Sequence, residues 1–158
     1  MIVKLTLKDC GTGAGGFQPG NTCASGGDGG GERSSADGGS GVGGNADSRR
    51  STAQKPSTPV ATLVALSKDR DRFVRVIVAS NQKTPVATLV ELSNDREWSA
   101  RAGVAENPNT PVDTLVKLSK DGDWGVRFAV AKNPKTPSDT LAELTNDKHR
   151  EVRIAARR

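Results

Sequence analysis

From Lys55 to Arg158 the apolar positions return in the same order four times, at a fixed interval of 26 residues. Each copy opens on Thr-Pro (Thr58-Pro59, Thr84-Pro85, Thr110-Pro111, Thr136-Pro137). Two leucines follow, at Leu63 and Leu66, Leu89 and Leu92, Leu115 and Leu118, and Leu141 and Leu144. Val60, Leu63 and Val64 share one helical face and Leu66 extends it by a turn, which predicts a first helix of about nine residues. The threonine is placed as its N-cap and the proline as its first residue, where a missing N–H costs nothing. The polar stretch Ser67 to Asp71 then breaks the chain, and its aspartates can satisfy free N–H groups and start a second helix. Val74, Ile77 and Val78 form the apolar face of that helix, with Ala100, Gly103 and Val104, then Val126, Ala129 and Val130, as counterparts. Asn107-Pro108 and Asn133-Pro134 end it, because a residue before proline is pushed out of the helical region.

Helices this short do not stand alone in water. A period between about 20 and 50 residues is the mark of a solenoid, whose units bury their apolar faces only against one another. The expected fold is all-α: a short, right-handed α-solenoid of four two-helix repeats, at 55–80, 81–106, 107–132 and 133–158. In the fourth, Ser138, Ala142, Ala156 and Arg157 replace Val60, Val64, Val78 and Ala79, so it is expected to be the terminal cap with no fifth unit missing. Phe73 is expected to cover the open side of the first.

Composition separates this region from what precedes it. Of 18 glycines, 15 lie before residue 55. Residues 1–23 hold a short strand-like segment, Ile2 to Leu7, and a Gly/Cys-rich loop; 24–54 reads as a disordered linker, too poor in apolar residues to offset the entropy of ordering it. Gly11, Gly13 and Gly16 satisfy the dinucleotide-loop spacing, but Pro19-Gly20 follows where that loop needs a helix. Cys10 and Cys23 are expected as reduced thiols, and with His149 far off in the fourth repeat they are too few for a metal or cluster site. No cofactor and no metal are therefore expected. Neither a signal peptide nor a membrane-spanning stretch is apparent, so the expectation is a cytoplasmic protein.

The net charge of +5 belongs entirely to the repeats. Aspartates Asp69, Asp95, Asp121 and Asp147 each stand six residues ahead of Arg75, Arg101, Arg127 or Arg153. Stacking turns these into two rows, read as a structural ladder in preference to a phosphate grip. Trp98 and Trp124 fall at one position in consecutive repeats, where they plug a seam or anchor a partner. Lys68, Arg70, Arg96, Lys120 and Lys148 line the inter-helix turn among acids, which weakens the case for nucleic acid. His149, aligned with Asp71, Glu97 and Asp123, reads as a surface substitution. No nucleophile has a base beside it at a repeated position, so no catalytic group is assigned.

The pattern Asn-Pro-x-Thr-Pro-x-x-x-Leu-x-x-Leu-x-x-Asp-x-x-x-x-Val-Arg-x-x-Val-Ala resembles the leucine-rich repeat variant family across 55–158, and its Leu-x-x-Asp-x-x-x-x-Val-Arg core is similar to HEAT repeats. The resemblance implies units pairing an α-helix with a second, often 3₁₀, helix, and a non-catalytic binding scaffold. One protein of that family type carries a cysteine-ligated iron–sulfur cluster; with only Cys10 and Cys23, that cofactor is not carried over. The expectation is a monomeric module for a protein or peptide, with Trp98, Trp124, Arg70, Arg96 and Lys120 as contact residues. The alternative is a nucleic acid or other polyanion on the basic edge.

Overall fold

The computed structural model describes residues 44–157. Among them are α-helices and no strand: α1 (Ala46–Gln54), α2 (Val60–Leu66), α3 (Arg72–Ser80), α4 (Val86–Leu92), α5 (Trp98–Glu106), α6 (Val112–Leu118), α7 (Trp124–Lys132), α8 (Ser138–Leu144) and α9 (Arg150–Ala156). The strand-like segment, the Cys10–Cys23 loop and the linker up to residue 43 lie outside the described residues.

Long helices stack in one row, α1 on α3, α3 on α5, α5 on α7 and α7 on α9, and each of α2, α4, α6 and α8 rests on the long helices before and after it. Between the rows runs a continuous core of Leu63, Leu66, Leu89, Leu92, Leu115, Leu118 and Leu144 with the valines of the long helices, Val74, Val78, Val104, Val126, Val130 and Val152. Gly103 lets α3 and α5 approach closely: a Cβ there would sit 3.0 Å from Ser80 Oγ and 3.1 Å from Ala79 Cβ.

The structure departs from the sequence reading in five places. The second helix of every unit is α-helical, not 3₁₀. Asp71 and Asp123 cap α3 and α7, accepting hydrogen bonds from the N–H groups of Phe73 and Gly125, while α5 and α9 are α-helical without a side-chain cap.

Thr58, Thr84, Thr110 and Thr136 are not N-caps. The prolines occupy that position, with no side-chain cap, so each first helix starts one residue later than expected. The threonine hydroxyl turns inward and donates to a carbonyl six residues back, at 2.6 Å from Thr84 to Val78, from Thr110 to Val104 and from Thr136 to Val130. It closes the end of the preceding helix, whose last carbonyls have no partner within that helix.

Val60 and Val64 are not core: they are 50% and 37% exposed, and Val86, Val90 and Val112 are exposed likewise. The buried side of the short helix runs through its two leucines and the serine after it, since Ser67, Ser93 and Ser119 are buried and donate to a carbonyl three residues back.

Residues 46–54, read as the end of the linker, form α1. Asn45 caps it through the Ser48 N–H, and Ala53 is fully buried. The register explains this: Arg49 and Ala53 stand 26 residues ahead of Arg75 and Ala79, and α1 is a long helix of the same row.

Phe73, finally, does not cover the first repeat, a task that falls to α1. Its half-exposed ring lies between the Arg50 and Arg72 guanidinium groups, 4.8 Å from each.

Candidate functional site

Two sets of side chains recur along the stack, one holding it together and one facing outward. The first is a ladder of arginines. Arg75 Nε donates to Asp95 Oδ2 at 2.6 Å and Nη2 to Oδ1 at 3.0 Å. Arg101 meets Asp121 at 2.7 and 2.9 Å, and Arg127 meets Asp147 at 2.6 and 3.0 Å, in the same two-pronged geometry. Arg49 extends the row by one step, to Asp69 at 2.7 and 3.3 Å. The remaining Nη1 of the three central arginines bonds a carbonyl six residues back, that of Asp69, Asp95 or Asp121. Arg153 bonds the Asp147 and Lys148 carbonyls through Nη1. The ladder aspartates also shape the turn, accepting from the N–H two residues on, at Asp71, Glu97, Asp123 and His149.

The charge state follows from the geometry. For Asp95 and Asp121, burial alone pushes the carboxyl up, but the bonds from Arg75 or Arg101 and from the backbone outweigh it, leaving both below the usual carboxylate value. Asp147 is lowered foremost by its bond from Arg127. An acid whose folded pKa is depressed stabilises the fold above its unfolded value, about 3.9, and loses that contribution as pH falls through the folded value. The melting temperature is therefore expected to stay level from about pH 8 to pH 5 and to fall steadily below about pH 4. A flat profile down to pH 2 in thermal unfolding by circular dichroism would show that the ladder does not carry stability.

A second ladder runs the other way. Asn107 Nδ2 reaches back to the Ala79 and Asn81 carbonyls at 2.8 and 2.9 Å, and Asn133 to those of Ala105 and Asn107 at 2.6 and 3.2 Å. Asn81 does the same to Ala53 at 2.8 Å, tying α1 to the stack. Sequence reasoning assigned these asparagines only to helix ends, although their recurrence every 26 residues signalled a ladder.

The outward-facing set is aromatic. Trp98 and Trp124 open α5 and α7 and are 48% and 43% exposed. Each leans on the following unit. Trp98 lies over Gly125, where an added Cβ would come within 3.0 Å of its ring, and Trp124 stacks on the His149 imidazole, with centroids 5.5 Å apart and planes at 18°. Phe128 meets Trp124 edge-on at 6.4 Å. Arg70 and Arg96 line a cleft of about 540 Å³ with Arg50, Arg72, Arg75, Asp71, Glu97 and Phe73. Lys120 lies apart from it, in a second hollow with Lys148, Gly122, Arg127, Asp121 and Asp147. Among the described residues no group of His, Cys, Asp or Glu is arranged to hold a metal ion, and no helix is long and apolar enough to cross a membrane.

Residues 98–123 and 124–149 each match the family model described as leucine rich repeat variant. Residues 98–149 are two leucine rich repeat variant units. Their phase differs from that of the Thr-Pro reading, since each matched unit begins with a long helix, continues with a short one and ends on the next N-cap. On that phase α1 and α2 make an earlier unit, and each ladder pair, from Arg49–Asp69 to Arg127–Asp147, lies within one unit. The Nη1 and asparagine bonds then join successive units. A solved structure titled a leucine-rich repeat variant with a novel repetitive protein structural motif is 24% identical over 69% of this chain and 64% of that one, with a TM-score of 0.33. This chain thus spans under two thirds of its length. No curated protein matches the chain.

Proposed function

We propose that the stack is a non-catalytic scaffold that binds a protein or peptide segment across its long-helix face, with Trp98 and Trp124 as anchors. The observation that carries this reading is the pair of indoles at equivalent positions of adjacent units, each nearly half exposed and braced from beneath. Large aromatic rings held rigid at a surface lose little entropy on binding and dominate interface energies. Apolar surface beside them, at Phe128 and Ala102, enlarges the patch.

The Trp98→Ala/Trp124→Ala chain should stay folded but melt roughly 5–15 °C lower, because each half-buried indole packs on the following unit. In an affinity capture it should lose the partner retained by the unaltered chain, and each indole is expected to contribute about 2 kcal/mol or more to binding. Retention of the same partner by the double variant sinks this reading.

The arginine-lined cleft favours a second reading, polyanion binding with Arg70 and Arg96 on the phosphates. Against it, Arg50 and Arg75 are already bonded to Asp71 and Asp95, and Asp71 and Glu97 lie in the cleft itself. Affinity that falls steeply between low and moderate salt would favour the polyanion; an apolar interface barely responds.

A further inference from the structure

The exposed row continues past both indoles. Arg72, Trp98, Trp124 and Arg150 are the first residues of α3, α5, α7 and α9, and all four are exposed. The Arg72 side chain is 59% exposed and meets Glu97 at 3.7 Å. One turn along the same helices stand Val76, Ala102, Phe128 and Ile154, the last 59% exposed, so the floor beside the row is apolar.

The spacing of such a row is set by helix packing, about 8–10 Å between neighbouring axes. A polyproline II chain has three residues per turn and rises about 3.1 Å per residue, so every third residue returns to the same face after about 9 Å, one unit of the stack. The charges are placed at the ends and the apolar rings in the middle. We propose, building on the peptide-binding reading above, that this row takes a peptide in the polyproline II conformation with an acid, two apolar residues and a second acid at successive third positions. The carboxylates pair with Arg72 and Arg150, and the apolar side chains lie on Trp98 and Trp124. A single-stranded nucleic acid fits less well. It carries a charge at every nucleotide, and beside the indoles those charges meet the carboxylates of Glu97 and Asp123, whereas the peptide brings one charge to each arginine and competes with Glu97 only at Arg72.

A random peptide library displayed on phage, panned on the full chain, tests the motif. Enriched sequences should carry acids flanking two apolar residues at every third position. A synthetic peptide of about ten residues, with glutamate at both ends and leucine at the two intervening third positions, should bind with a change in tryptophan emission. Arg72→Gln/Arg150→Gln should weaken that peptide about tenfold, Trp98→Ala/Trp124→Ala roughly several hundredfold, and a scrambled peptide of the same composition should bind about tenfold more weakly. Enriched peptides that require the tryptophans but lack the spacing, or bind the arginine variant equally well, overturn this motif and leave the scaffold reading intact. Peptides indifferent to the tryptophan variant, or an oligonucleotide bound in place of any peptide, remove both.

Discussion

Replacing Asp95 with alanine should lower stability by about 3–5 kcal/mol, seen as a fall in Tm of roughly 10–20 °C. The pair it breaks is nearly dry: the Arg75 and Asp95 side chains are 8% and 9% exposed. Removing the carboxylate strands a buried guanidinium and also takes away the acceptor for the Glu97 N–H that forms the turn. Two comparisons give the experiment its force. Arg96→Ala, on an exposed neighbour, should stay within about 0.5 kcal/mol. Arg75→Met/Asp95→Leu should recover part of the loss, because desolvating an ion pair offsets much of its attraction. If Asp95→Ala melts within 2 °C of the unaltered chain, the two-pronged bonds contribute nothing and the ladder is decoration.

The second large effect concerns α1. A chain starting at Pro56 should be less stable than one starting at Gly44 by at least about 3 kcal/mol, read from denaturant midpoints at constant slope. Without α1, the buried faces of Val74, Val78 and Ala79 meet water, and Asp69 and Asp71 lose Arg49 and Arg50. Equal midpoints would mean that α1 covers nothing of consequence. It follows that binding experiments belong on the full chain, since a fragment cut where the Thr-Pro repeats begin lacks a helix that the first of them packs against.

Most of this architecture was legible because a period of 26 fixes which residues are equivalent. Leucines at Leu63 and Leu66 and their copies located the core, and the Asp and Arg rows located the ladder. Phase was harder to read. Thr-Pro is the loudest local signal, and it hid the fact that the pattern of Arg49 and Ala53 starts earlier, inside a glycine-rich context with no leucine between Leu7 and Leu63. Val60 and Val64 were misplaced because a seven-residue helix offers too few positions to separate one apolar face from its neighbour; only packing on α1 and α3 chooses the leucine side. The threonines were misread for a related reason. A hydroxyl before a helix can bond forward to that helix or back to the previous one, and the choice depends on a carbonyl brought near only by the turn. The tryptophans were placed at equivalent positions by the period, but their exposure depended on Gly125 and His149, whose partnership with an indole 25 or 27 residues away is visible only once the units stack.

Beside the apolar core, the hydrogen bonds that join units go largely to main-chain oxygens, taken up by an asparagine amide on one side and an arginine Nη1 on the other. Such a fastening is blind to the identity of the neighbour. A segment of 26 residues cut at the family phase brings its own hooks and eyes, and could be duplicated, deleted or exchanged with little repair at the cut. Lengthening the row of docking positions, or reordering them, then becomes a matter of copying cassettes rather than of redesigning a core.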